Sequence, residues 1–313
     1  MNLKLKTRIA PTPSGLLHEG NGASFLLTYA FAKAYEGDIL LRIDDLDADR
    51  MRLEYLDDIF KTLDWLGIEW TEGPSSVADF QQNWSQHRRL HIYNYMLNLL
   101  KNQKDLLYAC ECSRKQIKET TVNGFYPQTC RFKNLDFNQM DTAWRIHVPD
   151  NNTVSFSDLD LKTKTIQQTA FFSHCAMGDF VVRQKNRLPA YQIASVADDA
   201  YFGVNFVVRG ADLLQSTVAQ IYITQQLKRT DFSKTLFIHH DLVKTKEGDK
   251  LSKSKDATAL AEWRYAGKTP ENLIKQAAKW LNLPEVGNFN ELIAVLKASD
   301  LFNIPPQYFS KKV

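Results

Sequence analysis

Little in this chain would send it to a membrane or a secretory route. None of its 313 residues falls in an apolar run of the roughly 20 positions needed to cross a bilayer. The N-terminus has no charged-then-apolar signal segment, so the cytoplasm is the default location. No internal repeat or low-complexity tract is present, which argues against stacked-repeat and disordered architectures. Net charge is slight, +3, so the total does not demand a nucleic-acid partner, although a local basic patch would serve one. Cysteine is scarce, at 110, 112, 130 and 175. Three of the four fall close together in a chain with cytosolic features, which favours a metal site over a disulfide framework. What remains has the composition of a globular enzyme, long enough to bury a sizeable core in more than one subdomain.

Residues 7–11 read as a strand, 20–36 as an amphipathic helix and 38–43 as a second apolar strand, a β-α-β unit of parallel type. Its ligand crevice belongs at the C-terminal ends of the strands. Helix-period segments follow at 50–66 and 85–102. From about 106 to 175 the pattern changes to short strands and turns around the cysteines, which marks an insertion. Apolar or alternating runs return at 180–183, 191–196, 206–209 and 236–240, with a helix at 213–228, so a second half of the nucleotide fold is expected. Segments 257–265, 269–283 and 290–301 look helical. Thr269, Pro270 and Glu271 supply a capping hydroxyl, a proline at the first helical position and an acid in the first turn.

Two motifs carry chemistry. In the first, Pro11 and Pro13 keep the backbone extended, and His18-Glu19-Gly20-Asn21-Gly22 then opens a helix. Gly20 and Gly22 allow close approach of a ligand, and the helix start offers unpaired N–H groups and a positive dipole end to phosphate. The second is Lys250-Leu251-Ser252-Lys253-Ser254, with only about sixty residues after it. Alone, each has an ordinary reading, a structural histidine and a solvated basic loop. Together they form a specific pair.

The pair resembles the HIGH and KMSKS elements of class I aminoacyl-tRNA synthetases. The text from Arg8 to Gly15, the run Leu41-Arg42-Ile43-Asp44-Asp45-Leu46-Asp47 and Val208-Arg209-Gly210-Ala211-Asp212 are similar to the glutamyl and glutaminyl branch. The resemblance covers about four fifths of the chain, roughly 7–254. It implies an α/β fold, a Rossmann-type parallel-sheet catalytic core with a zinc-binding insertion and a short C-terminal helical region. On that basis residues 1–105 form the first half of the catalytic domain, 106–175 the insertion and 176–245 the second half. Residues 246–313 carry the KMSKS-like loop and a stem-contact region without an anticodon-binding domain.

The resemblance also implies roles. His18, Lys250 and Lys253 would be catalytic, and ATP would meet His18, Gly20, Gly22, Lys250, Leu251, Ser252 and Lys253. Positive groups are needed there because charge builds on the α-phosphorus and on leaving pyrophosphate. Here Asn21 replaces the second histidine of HIGH and Leu251 replaces methionine. For the amino acid, Arg8 and Tyr191 would address the side chain, Asp44 the α-ammonium and Arg209 a carboxylate, with Thr12 standing where the branch usually has serine. A dicarboxylic amino acid taken out of water needs cations for both carboxylates. Asp44 is the glutaminyl choice and Arg209 the glutamyl one; glutamate is favoured, because a buried arginine facing an amide would lose its counter-charge.

Cys110-x-Cys112 and Cys130 suit a tetrahedral, structural zinc site, yet no histidine lies between Cys112 and Cys130 to complete it. The short members of the branch make Tyr126 the implied fourth ligand. Those members are the glutamyl-queuosine tRNA(Asp) synthetases, which this chain resembles most. The expected partners are therefore ATP with Mg²⁺, glutamate and the anticodon loop of tRNA-Asp, and the expected state is a monomer without a membrane. The alternatives are a ligase delivering glutamate or glutamine to another acceptor, a truncated synthetase charging the tRNA 3′ end, and a binding protein that has lost catalysis.

Overall fold

The computed structural model describes residues 4–120, 126–149, 153–158, 166–171, 178–228, 234–243 and 259–298. The 250–254 motif and Cys175 lie outside the described residues.

The expected parallel unit is present. Strand β1 (Lys6–Ile9) pairs in parallel with β2 (Asp38–Leu41), placing Arg8 opposite Leu40, and α1 (Glu19–Ala34) connects them. A second parallel pair joins β8 (Phe206–Gly210) to β9 (Leu236–His240), with Arg209 opposite His239 and Gly210 opposite His240. The two pairs lie side by side. Asn205 donates its backbone N–H to the Lys6 carbonyl (3.0 Å), and its side-chain oxygen accepts from the Lys6 N–H (2.8 Å). The C-terminal ends of β1 and β8 therefore meet at the point where such sheets bind ligands.

Three expectations change. The run 191–196 is not a strand but the start of helix α5 (Tyr191–Tyr201); its apolar positions serve a helix buried on most of its surface, with Asp198 and Asp199 inside it. The insertion boundary also moves. Strand β5 (Thr153–Asp158) pairs in parallel with β9 and antiparallel with β6 (Ile166–Phe171), so these two strands extend the second parallel pair into one sheet in the order β6-β5-β9-β8. What stays apart is a small antiparallel sheet of β3 (Leu107–Cys110), β4 (Ala143–Ile146) and β7 (Val181–Arg183). Third, Pro270 caps helix α8 (Glu271–Trp280) instead of occupying its first turn.

Helix α1 explains why the C-terminal helices are no separate unit. Its apolar residues face all round, Phe25, Leu26, Tyr29 and Phe31 among them, so it must be covered on every side. The sheet covers one side. Helices α7 (Leu260–Tyr265), α8 and α9 (Phe289–Ala298) cover the other, sharing one apolar core that includes Leu260, Leu273 and Leu292. Tyr29 stacks on Phe289 at 5.0 Å between ring centroids. Arg264 of α7 pairs with Asp58 of helix α2 (Leu53–Trp65). A second core joins helix α3 (Leu90–Lys101), α5 and helix α6 (Leu214–Gln226) to β4, β5 and the middle of β9. No described helix is both long and apolar enough to cross a membrane.

Candidate active site and cysteine centre

The C-terminal ends of β1, β8 and β9 and the start of α1 enclose a cavity of about 230 Å³. The turn after Pro13 delivers His18 as the N-cap of α1. Its Nδ1 accepts the Gly20 N–H (3.1 Å), and the Asn21 side-chain oxygen accepts the His18 N–H (3.1 Å), a reciprocal cap. A neutral ring that accepts at Nδ1 carries its proton on Nε2. Asn21 therefore holds the helix start in shape, a role a second histidine there would fill differently.

The two glycines divide the work. A side chain on Gly20 would crowd the His18 ring, at 3.1–3.2 Å, so Gly20 makes room for the cap. A Cβ on Gly22 would instead meet Leu273 at 2.8 Å and Leu260 at 2.9 Å. Gly22 thus serves helix packing, and Gly20 alone of the pair lines the cavity. The last described residues before the basic motif, Leu242 and Val243, line the cavity. The first described residue after it, Ala259, bridges to His18, and Leu260 donates its N–H to the Leu17 carbonyl (2.8 Å). Lys250, Leu251, Ser252 and Lys253 themselves lie outside the described residues.

On the opposite wall sit two buried guanidinium groups. Arg8, 5% exposed, donates to the Val208 carbonyl (3.4 Å), and its Nε lies 3.7 Å from Asp199. Arg209, 4% exposed, donates twice to the Gln220 side-chain oxygen (3.1 Å each) and once to the Thr217 hydroxyl. Both of those acceptors are neutral, and no carboxylate pairs with Arg209 among the described residues. Burial, with Arg8 nearby, lowers its pKa to about 10, against the raising influence of Tyr191 and Asp199. It remains cationic at neutral pH, a charge out of water with no ion-pair partner among the described residues. Tyr191, at the start of α5, is 40% exposed and lines the same cavity.

Asp44 and Thr12 stand elsewhere. The Asp44 carboxylate is clamped by Arg42 (2.7 and 3.1 Å), and Thr12 is exposed; neither lines the cavity. Arg42 pairs with Asp44 and Asp199 (2.6 Å), while Asp45 accepts from Ser85 (2.5 Å) and the Gln86 N–H (2.7 Å). Sequence reasoning missed His239, His240 and Trp280. The His240 ring stacks on Trp280 at 4.0 Å, and its Nε2 meets the Ser24 hydroxyl at 2.9 Å, so both close the cavity floor. A histidine pair ending an apolar strand was the available signal.

The thiols converge as well. The Sγ atoms of Cys110, Cys112 and Cys130 lie within 4.8 Å of one another. The Cys112–Cys130 separation, 3.4 Å, is far beyond the roughly 2.05 Å of a disulfide. The Tyr126 hydroxyl is 3.2 Å from Cys110 Sγ and 3.4 Å from Cys112 Sγ, and Arg145 sits 3.8 Å above its ring. Sulfurs bound at about 2.3 Å to one tetrahedral ion stand roughly 3.8 Å apart, so these four atoms fit a single metal ion.

Along residues 4–294 the chain matches the family model for class I tRNA synthetases (E and Q), catalytic domain. It belongs to that family. A glutamyl-Q tRNA(Asp) synthetase from Pseudomonas fluorescens is 38% identical over 257 residues, 82% of this chain and 78% of that protein. A glutamate–tRNA ligase from Buchnera aphidicola is 30% identical over 318 residues, 96% of this chain but only 64% of the ligase. The crystal structure of a glutamate-tRNA synthetase from Elizabethkingia anophelis superposes with a TM-score of 0.72 at 21% identity, covering 95% of this chain and 66% of that one. The synthetase fold places the cavity, the His18 cap and both buried arginines in its catalytic domain.

Proposed function

We propose that this synthetase-family chain activates glutamate with ATP and Mg²⁺ and transfers the glutamyl group to queuosine in the anticodon of tRNA-Asp. The observation that carries the reading is Arg209, a buried cation in the cavity wall whose hydrogen-bond acceptors among the described residues are all neutral. A carboxylate entering beside it supplies the missing counter-charge, whereas an amide would leave the guanidinium uncompensated. Arg8 and Tyr191 complete a pocket suited to an acidic side chain; Asp44 and Thr12, to which the family resemblance gives roles toward the same amino acid, do not line this cavity. Across the cavity, His18 and the start of α1 face the phosphates of ATP, and the resemblance assigns Lys250 and Lys253 to the same phosphates.

In the first step a glutamate carboxylate oxygen attacks the α-phosphorus, the bond to the bridging oxygen breaks, and pyrophosphate leaves with the electron pair. In the second, a hydroxyl of the acceptor attacks the carbonyl carbon of glutamyl-adenylate, loses its proton and releases AMP. Cys110, Cys112, Cys130 and Tyr126 would hold a structural zinc ion, which contributes cohesion to the segment around β3 and no chemistry to the reaction.

The choice of acceptor rests on the relatives named glutamyl-Q tRNA(Asp) synthetases, which match at 37–38% identity. Relatives named glutamate–tRNA ligases support the second reading, charging of the tRNA 3′ end. The test charges tRNA with labelled glutamate, comparing queuosine-containing with queuosine-free tRNA, each with and without its 3′-terminal adenosine. Labelling that survives loss of the 3′ end but requires queuosine supports the first reading. Labelling that requires the 3′ end and ignores queuosine overturns it in favour of the second.

A further inference from the structure

Behind Arg209 runs a buried chain of three side chains, none of which lines the cavity. Thr217 of α6 accepts from Arg209 and lies 2.7 Å from His239 Nε2; His239 Nδ1 lies 2.8 Å from the Asp158 carboxylate. Asp158 comes from β5, the strand that joins the catalytic sheet beside β9. We propose that Asp158, His239 and Thr217 are positioning residues that hold the Arg209 guanidinium for a substrate carboxylate, and so help set the preference for glutamate over glutamine. This rests on the reading of Arg209 as part of the glutamate pocket.

The polarity of the chain carries the argument. Asp158 can only accept, so the imidazole proton sits on Nδ1, and Nε2 is left as an acceptor. Burial holds His239 below the ordinary imidazole value despite Asp158, with Arg209 and Arg8 adding to the effect, which keeps the ring neutral. Thr217 has one hydroxyl proton. The His239 nitrogen at 2.7 Å takes it in preference to the Leu213 carbonyl at 3.3 Å. The Thr217 oxygen is then turned to Arg209 as a pure acceptor. Together with Gln220 it fixes the guanidinium plane, and Arg209 Nε, buried, has no hydrogen-bond partner among the described residues. If Nε2 carried a proton, that nitrogen would donate to Thr217 and release its hydroxyl hydrogen to turn toward the cation. The fixed direction of each bond is therefore what aims Arg209.

Amino-acid-dependent ATP–pyrophosphate exchange on the full chain tests this. Thr217→Val, which keeps the shape and removes the hydroxyl, should raise the glutamate KM about tenfold with kcat and the ATP KM within about twofold. It should also narrow the glutamate-to-glutamine preference. Thr217→Ser should restore the wild-type glutamate KM. His239→Phe, whose ring would sit beside Phe156 and Phe237, should mimic Thr217→Val, and the double variant should be no worse than either single one, since both break the same chain. Additive losses, or a wild-type glutamate KM in Thr217→Val and His239→Phe while Arg209→Lys raises it, would overturn the proposal. An unchanged KM in Arg209→Lys would overturn the underlying reading of the pocket instead. Should Thr217→Val unfold at the assay temperature, His239→Phe alone carries the same outcomes.

Discussion

Two buried arginines show how neighbours decide what a charge is for. Burial alone would lower the pKa of Arg42, but Asp44, Asp199 and Asp198 surround it and raise it well above its ordinary value; its bonds are closed within the protein. Arg209 meets hydroxyl and amide oxygens instead, and its pKa falls. The first arginine is a structural tie and the second, on the proposed reading, a binding group, a distinction that residue type alone does not make. The histidines at the end of β9 behave as buried neutral groups: burial lowers both His239 and His240 from the ordinary 6.5. The unfolded chain therefore takes up protons below pH 6.5 that the folded chain refuses. Their contribution to stability is complete above that value and lost as pH falls through the lowered folded values. Melting measured at pH 7.5 and 5.5 should show a fall at the acid end, roughly 2–4 °C per kcal/mol lost. His239→Phe should shrink the fall, and an equal fall in that variant would assign the effect to other groups.

Helix α1 works at both ends of the argument. Its first turn, capped by His18 and Asn21, turns the positive end of the helix dipole to the cavity, and its buried length binds the C-terminal helices to the sheet. Gly22 sits where these duties meet, since only a missing side chain lets Leu260 and Leu273 approach so closely. An alanine there gains about 1 kcal/mol of helix propensity, and its methyl group presses only on the movable ends of two leucines, so Gly22→Ala should be close to neutral. Gly22→Val is branched and cannot be absorbed in the same way. It should cost about 1–3 kcal/mol, measured by urea denaturation, and should weaken ATP use by shifting the helix start. A valine variant as stable as the wild type would mean that α7 and α8 pack on α1 more loosely than described.

Over the whole molecule, two cores meet at one sheet, and the cysteine centre is attached to the edge of the second. Tyr108, Cys110, Tyr126 and Cys130, with Cys112 packed against them, form a small cluster of their own around β3, too small to hold a loop-rich segment by apolar burial. Protein purified without chelator should contain about one zinc ion per chain, and Cys130→Ser should lose it. Stripping the metal should open residues 110–130 to protease while the parallel sheet stays folded. Metal-free protein that resists protease as well as the native form would remove the structural role.

Much of this was legible in the chain because the chemistry is local. The helix start at His18, the strand carrying Arg8 and the cysteine spacing each lie within a few residues, and the structure places them close to where pattern reading put them. The run 191–196 misled because a helix buried on nearly all sides has no polar face to reveal its period. The strand pair 153–158 and 166–171 misled because strand pairing depends on partners distant in sequence. The sequence by itself determined which groups are available: two arginines, a histidine at a helix start, three thiols and a phenol. Only the tertiary structure decided which of them are satisfied. Asp158 and His239 are 81 positions apart, and Arg42 and Asp199 are 157. A charge is tied or left for a ligand according to who stands within about 3 Å of it after folding, and that distance is set by packing across the sheet rather than by order along the chain.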